Sequence, residues 1–237
     1  MNHEIQAIGH ITTPFQQKFA IPRQGQGLSL AKGQINFAEY INPQQALTGI
    51  EDFSHLWLMF LFHENLAQGF KQKVRPPRLG GNKKIGVFAS RSSFRPNGIG
   101  LSLVRNLGLI DNRLHVGEVD LLCNTPIIDI KPYLPYADIA ISATAGYAAE
   151  KPANTLQITY ADSAKQGLNE ASHQYTDFMP LLASILAQDP RPAYKQLTTD
   201  DKIYHLQLYD YDVHWRMQAE HILVVNVNKV SNAISLK

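Results

Sequence analysis

The sequence is poor in cysteine, in long apolar runs and in the signatures of bound metal or nucleotide, and each shortage removes a class of function. Cys123 is the single cysteine of 237 residues. With no partner for a disulfide or a paired-cysteine centre, it fits a reducing compartment and makes redox chemistry unexpected. The longest unbroken apolar run, 56–62, falls far short of the roughly 20 residues a membrane span needs. The opening Met1-Asn2-His3-Glu4 has no basic region followed by an apolar stretch. A cytoplasmic protein with no membrane partner is therefore expected. No His-Glu-x-x-His, clustered aspartate triad or paired cysteines occur, so no metal is expected. Neither a Walker loop nor a Gly-x-Gly-x-x-Gly after a strand is present.

What is present is an ordinary globular composition, 44% apolar and 18% charged, which excludes a disordered chain or a coiled coil. The net charge of +2 hides a segregation. Between residues 65 and 110 stand Lys71, Lys73, Arg75, Arg78, Lys83, Lys84, Arg91, Arg95 and Arg105, with no acidic residue among them. The other 13 cations face all 20 acids, a net of −7. Interspersed charges serve solubility better than such a block does, so a polyanionic partner is expected.

Strands are predicted at 4–11 and 34–40, a short helix at 44–47 behind Asn42-Pro43, and a buried strand at 53–62, apolar on both faces. A short strand at 85–90 and a hairpin of 101–110 with 114–122 follow, turning at Asp111-Asn112-Arg113. The prolines of 125–138 predict a loop, with a last strand near 139–143. Many short strands with no helices between them favour a mainly β protein, a closed barrel or strongly bent sheet rather than a βαβ fold. The barrel domain is expected over 1–145, a linker over 146–154, and a smaller α+β domain over 155–237. In that second unit a helical stretch at 170–188, interrupted by Pro180, precedes strands at 202–211 and 221–229, which are expected to pair.

Three segments carry candidate chemistry. The stretch 86–102 sets Arg91 and Arg95 beside Ser92, Ser93 and the Pro96-Asn97-Gly98 turn, where cations, hydroxyls and free amides together can hold an anion. A solvated turn would have the same composition. The stretch 129–138 presents Asp129, Lys131, Tyr133 and Asp138 on a proline-stiffened backbone, with tyrosine faces for stacking; a rigid edge connection is its plainer explanation. Arg75-Pro76-Pro77-Arg78 holds two cations on a stiff frame suited to phosphate. His55 and His63 flank the predicted core strand and read as hydrogen-bonded strand-end histidines.

Together these segments resemble the TsaA-like family, whose bacterial members are the TrmO tRNA adenosine N6-methyltransferases. The resemblance rests on Ile8-Gly9-His10-Ile11, Pro14-Phe15, Pro22-Arg23-Gln24, Asp52-Phe53-Ser54-His55-Leu56-Trp57, Arg75-Pro76-Pro77-Arg78 and the runs 91–101 and 129–138. Asp189-Pro190-Arg191-Pro192-Ala193-Tyr194 extends it into the second unit. It implies a β-barrel methyltransferase outside the Rossmann class, acting as a homodimer. The methyl donor it implies is S-adenosylmethionine, and the substrate is N6-threonylcarbamoyladenosine at position 37, beside the tRNA anticodon. Phe88, Arg91, Ser92, Ser93, Arg95, Pro96, Asn97, Leu121, Leu122, Asn124 and Thr125 match the family's cofactor region. Asp129, Lys131, Tyr133 and Asp138 match its catalytic rim, while Arg23, Arg75, Arg78 and Lys131 are assigned to the tRNA anticodon loop.

The chain departs from the family's pattern at Ser93 and Gly98, where proline is usual, and at Cys123-Asn124, where Asp-Gly is usual. Loss of two prolines is expected to loosen the loop, and Asn124 to crowd a turn that glycine makes. The donor carries two positive groups against one carboxylate, so at most one arginine is expected to pair with it and the rest of the basic block to face phosphate. Asp129 or Asp138 is the candidate base or hydrogen-bond orienter, and spacing does not separate them. A non-catalytic RNA-binding barrel would use the same loops and tyrosines. A metal-free hydrolase built on His55 or His63 ranks last, because no nucleophile accompanies them.

Overall fold

The computed structural model describes residues 4–19, 21–151, 156–191, 195 and 201–230. Of the sequence expectations, Pro192-Ala193-Tyr194 and linker residues 152–154 lie outside them. Six strands form a closed barrel: β1 (Gly9–Thr12), β2 (Lys32–Phe37), β3 (His55–Leu61), β6 (Ile99–Ile110), β7 (Arg113–Gly117) and β8 (Thr125–Pro132). Their order around the barrel is β1-β2-β7-β6-β3-β8. A two-stranded ribbon of β4 (Lys73–Val74) and β5 (Ile85–Gly86) stands beside it, in the basic block. Ile11, Ile35, Leu56, Leu58, Val104, Leu114, Val116 and Ile127 fill the interior, each fully buried.

Alternation explains β3 and corrects its reading. Leu56, Leu58 and Phe60 point inward, whereas Trp57, Met59 and Leu61 are half-buried on the outer wall. A strand apolar on both faces marked not a doubly covered core but an outer wall with a concavity against it. The hairpin of β6 and β7 turns through Asp111 and Asn112, both at positive φ (49° and 60°), the signature of a two-residue turn matched to strand twist. β7 ends at Gly117 rather than at 122 because Glu118 (φ 57°) enters the left-handed region and swings 119–124 out of the sheet.

Two further expectations fail. Residues 125–132 are not a loop but β8, which closes the barrel by pairing with β1 and β3. Its prolines, Pro126 and Pro132, stand near the strand ends, where a missing N–H costs least. Residues 139–143 form no strand, and Ile141 is 97% exposed.

The second unit is a four-stranded sheet in the order β10-β11-β12-β9, made of β9 (Gln157–Tyr160), β10 (Tyr204–Leu208), β11 (Tyr211–Gln218) and β12 (His221–Lys229). The helical stretch is two helices, α3 (Asp162–Gln174) and α4 (Phe178–Leu186), with Pro180 in the first turn of α4, where it costs no backbone bond. The shorter helices α1 (Pro43–Ala46) and α2 (Pro135–Asp138) lie in the first unit. The predicted strands at 202–211 and 221–229 do not pair with each other; β11 lies between them. Barrel and sheet share one hydrophobic cluster. They are also joined by a backbone bridge between Phe15 and Leu208 and by a bond from the Tyr209 amide to the Pro14 carbonyl at 2.8 Å.

Candidate active site

A cavity of about 640 Å³ opens on the outer wall of the barrel. Trp57, Met59 and Leu61 of β3 and Ile99 to Leu101 of β6 form its floor, Phe62 and Leu122 add apolar surface, and the loops that carry Arg23, Gln24, Arg91 and Arg95 form its sides. Of the predicted cofactor residues, Arg91, Ser93, Arg95, Leu121, Leu122 and Thr125 line it, as does Arg23. Phe88, Ser92, Pro96, Asn97 and Asn124 do not.

The loop 86–98 is held by its own polar groups. Ser90 Oγ donates to the Val87 carbonyl at 2.8 Å and accepts from the Ser92 amide, and Ser92 Oγ accepts from the Phe94 amide. Arg95 Nη1 donates to the carbonyls of Ser90 (2.9 Å) and Val87 (3.4 Å), while its guanidinium lies 5.6 Å from the Phe88 ring. Arg95 is thus a brace. Arg91, exposed on the cavity side, hydrogen-bonds only Gln24 Oε1 among the described residues. Of the two arginines, Arg91 is the one free to turn to a ligand.

The departures from the family pattern acquire a physical meaning. Gly98 has φ 61°, which proline is unable to adopt, and a Cβ there would lie 2.5 Å from Leu66 Cδ2. Asn124 takes φ 63° itself, exposed, with its amide bonded to the Ile11 carbonyl at 2.8 Å. Asparagine tolerates that conformation, so the turn is kept without glycine.

Asp120 is the functional candidate the sequence reading missed. It lines the cavity, accepts a hydrogen bond from Ser102 Oγ, and is bonded by the Gly25 amide. Burial pushes its carboxyl above the usual range, opposed by those two bonds and by the positive charge of Arg91. A carboxylate and an arginine thus face one cavity. The sequence signal was an acid inside the apolar run Val119-Asp120-Leu121, where a solvated turn acid is not expected.

The rim motif joins the cavity through Trp57. Its indole Nε1 donates to Asp138 Oδ2 at 3.2 Å, and its ring meets Tyr133 edge-on with centroids 5.9 Å apart. The same Asp138 oxygen accepts the Leu134 amide at 2.8 Å, and Oδ1 makes no bond among the described residues. Asp129 and Lys131 stand opposite Met59 and Trp57 in the register, hence on the same face. They pair with each other at 2.8 Å, and Asp129 Oδ1 also accepts the Ile130 amide. His55 and His63 behave as strand-end residues: Ser54 Oγ meets His55 Nδ1 at 2.9 Å, and His63 lies 3.9 Å from Glu64.

The basic loops are uneven. Arg75 is exposed, whereas Arg78 Nη1 donates to the carbonyls of Ala148 (3.1 Å) and Glu150 (3.0 Å) and so ties down the segment after the barrel. Partial burial and the neighbouring charge of Arg78 hold the Arg23 guanidinium below its ordinary value.

Residues 10–139 match the tRNA-methyltransferase O N-terminal domain and residues 153–230 the TrmO C-terminal domain. The chain belongs to the TrmO family. It is 40% identical over 218 residues to the tRNA (adenine(37)-N6)-methyltransferase of Escherichia coli, a match covering 90% of this chain and 93% of that one. It is 43% identical over 216 residues to a putative S-adenosylmethionine-dependent methyltransferase, RcsF, of Pseudomonas aeruginosa, covering 91% and 93%. The crystal structure of TrmO from Pseudomonas aeruginosa superposes with a TM-score of 0.81 at 35% identity, over 96% of this chain and 99% of that one. A mainly β fold with a closed barrel is what the family resemblance implied, and the described helices include none long and apolar enough to cross a membrane.

Proposed function

We propose that this TrmO-family protein is an S-adenosylmethionine-dependent tRNA (adenine(37)-N6)-methyltransferase whose substrate carries a threonylcarbamoyl group on that adenine. The named activities of its relatives support the reaction. The observation that carries the site is one cavity holding Arg91 and Asp120 on apolar walls and bordered by Trp57. These residues fit a donor with one carboxylate, two positive groups and a purine: Arg91 for the carboxylate, Asp120 for the cationic end, Phe62 and Leu122 for apolar surface. When bound, it supplies an electrophilic methyl group.

The chain's own residues do the rest. The rim of Trp57 and Tyr133 receives the target base by stacking, an interaction every base supports. The accepting nitrogen shares its lone pair with the purine and the carbamoyl group and is a poor nucleophile. Holding it in line with the methyl supplies up to about 7–11 kcal/mol. A positioned base removing the N–H contributes a further factor of about 100–10,000. Asp138, with one oxygen orienting Trp57 and the other free, suits that role better than Asp129, both of whose oxygens are engaged. Lys131 holds Asp129, and Tyr133 backs Trp57.

Asp138→Asn is expected to keep the affinity for S-adenosylmethionine and to lose about 100-fold or more in turnover, with Asp129→Asn affecting turnover far less. Calorimetric titration and single-turnover methyl transfer measure the two quantities, and the opposite ranking would move the role to Asp129. A protein that binds tRNA but not S-adenosylmethionine would instead be the non-catalytic RNA-binding barrel.

Arg23, Arg75 and Lys131 bear on the tRNA backbone, with Arg78 supporting the neighbouring segment. Each phosphate contact contributes roughly 0.7–0.9 to the slope of log affinity against log salt. Arg75→Ala should therefore flatten that slope by somewhat under one and leave cofactor affinity alone, as filter binding across a salt series reads directly. An unchanged slope would remove Arg75 from the interface. Assembly as a homodimer accords with Tyr136, Ile139 and Ile141, left 87%, 55% and 97% exposed beyond the barrel. The expected division is a catalytic barrel domain over 1–145 and a C-terminal domain over 155–237, in a cytoplasmic enzyme.

A further inference from the structure

The β10–β11 hairpin gathers a side-chain cluster that the methyl-transfer site does not use. Its register sets His205 opposite His214 and Gln207 opposite Asp212. Leu206, Val213 and Trp215 point into the core, so His205, Asp212 and His214 share the water-facing side of the sheet. Asp212 Oδ2 lies 3.1 Å from His205 Nδ1 and 2.9 Å from His214 Nε2, and the two imidazole centroids are 4.1 Å apart. One donor atom from each of the three residues lies within 4.8 Å of the others.

We propose that His205, Asp212 and His214 bind one divalent transition-metal ion of the zinc class, with water completing the coordination. Zinc bonds to imidazole nitrogen and carboxylate oxygen at about 2.0–2.2 Å, which places tetrahedral ligand atoms ~3.4 Å apart. The two Asp212–imidazole spacings lie just under that value and all three donor atoms lie within 4.8 Å of one another, so small side-chain rotations create the site without moving backbone. Two imidazoles and one carboxylate select zinc, cobalt or nickel over magnesium and calcium, which demand oxygen. Without metal, the contacts to Asp212 place a proton on His205 Nδ1 and on His214 Nε2. The metal takes the lone pairs of those nitrogens, and each ring carries its proton on the other one. β10 is the edge strand, and its Gln207 accepts a hydrogen bond from Gln17 of the barrel at 3.1 Å. The ion therefore fastens the free edge of the sheet where it meets the first unit. The spacing His-x6-Asp-x-His matches no familiar metal motif, and its meaning depends on β11, which composition did not announce.

The test is calorimetric titration of ZnCl₂ into untagged, chelator-stripped full-length protein, with thermal melting as a second reading. One ion per chain and a raised melting temperature are expected for the natural sequence. In the double variant His205→Ala with His214→Ala, both should be lost, while metal-free melting stays close to that of the natural protein. His214→Gln alone should weaken binding at least tenfold, and MgCl₂ should give no heat in any variant. Absence of zinc binding, or zinc binding that survives the double change at the same affinity, would overturn the proposal. Neither outcome bears on S-adenosylmethionine binding, which the same samples report separately.

Discussion

Asp120→Asn should weaken S-adenosylmethionine binding roughly 10- to 150-fold, the equivalent of about 1.5–3 kcal/mol for a hydrogen bond to a charged group. The same change should make the protein more stable at neutral pH. Burial raises the carboxyl of Asp120 above its ordinary value, so the folded chain holds this proton more tightly than the unfolded one. For an acid shifted in that direction, stability falls as pH rises through the window between the unfolded and folded values, and the penalty is complete above both. Asparagine carries no such charge, so the melting temperatures of the two proteins should converge as pH falls toward the unfolded value and separate above the window. A gain in stability with a loss of affinity is the mark of a charge kept for binding. Titration and melting across pH check both halves, and unchanged affinity would remove Asp120 from the site.

Trp215→Ala should cost about 3–5 kcal/mol, the range for truncating a fully buried large aromatic, and the chain should lose its second unit's sheet on mild heating. Trp215 is fully buried, its ring stacked on Tyr204 with centroids 4.9 Å apart. Trp215→Phe should be far milder, because the buried indole Nε1 has no hydrogen-bond partner among the described residues and its loss removes an unsatisfied donor. Urea unfolding of the three proteins measures the series. Equal losses for alanine and phenylalanine would show that the indole nitrogen does bond.

Legibility in the sequence followed the physics of each segment. The β6–β7 hairpin was plain because Asp111-Asn112 states its own turn conformation. β8 was hidden by its prolines, which read as loop until their positions near the strand ends are known. β11 is masked in the sequence although Tyr211, Val213, Trp215 and Met217 alternate with Asp212, His214 and Arg216, because apolar strands on either side of it look like each other's partners. The basic block was visible as charge segregation, but composition does not tell that Arg95 braces its own loop and Arg78 ties down a neighbouring segment. Those roles depend on carbonyls that only the fold brings near. Asp120 escaped notice because a single acid in an apolar run gains meaning only from the cavity it faces.

Methyl transfer to the adenine beside the anticodon is the activity on which every residue role above rests. It is tested most directly by incubating the purified protein with S-adenosylmethionine and two tRNA preparations, with and without threonylcarbamoyl on that adenine, and analysing the nucleosides by mass spectrometry. The expected result is a mass increase of one methyl group on N6-threonylcarbamoyladenosine, absent from the unmodified tRNA and lost in the Asp120→Asn protein at limiting cofactor. No methyl incorporation into either tRNA, or equal incorporation into both, would contradict it.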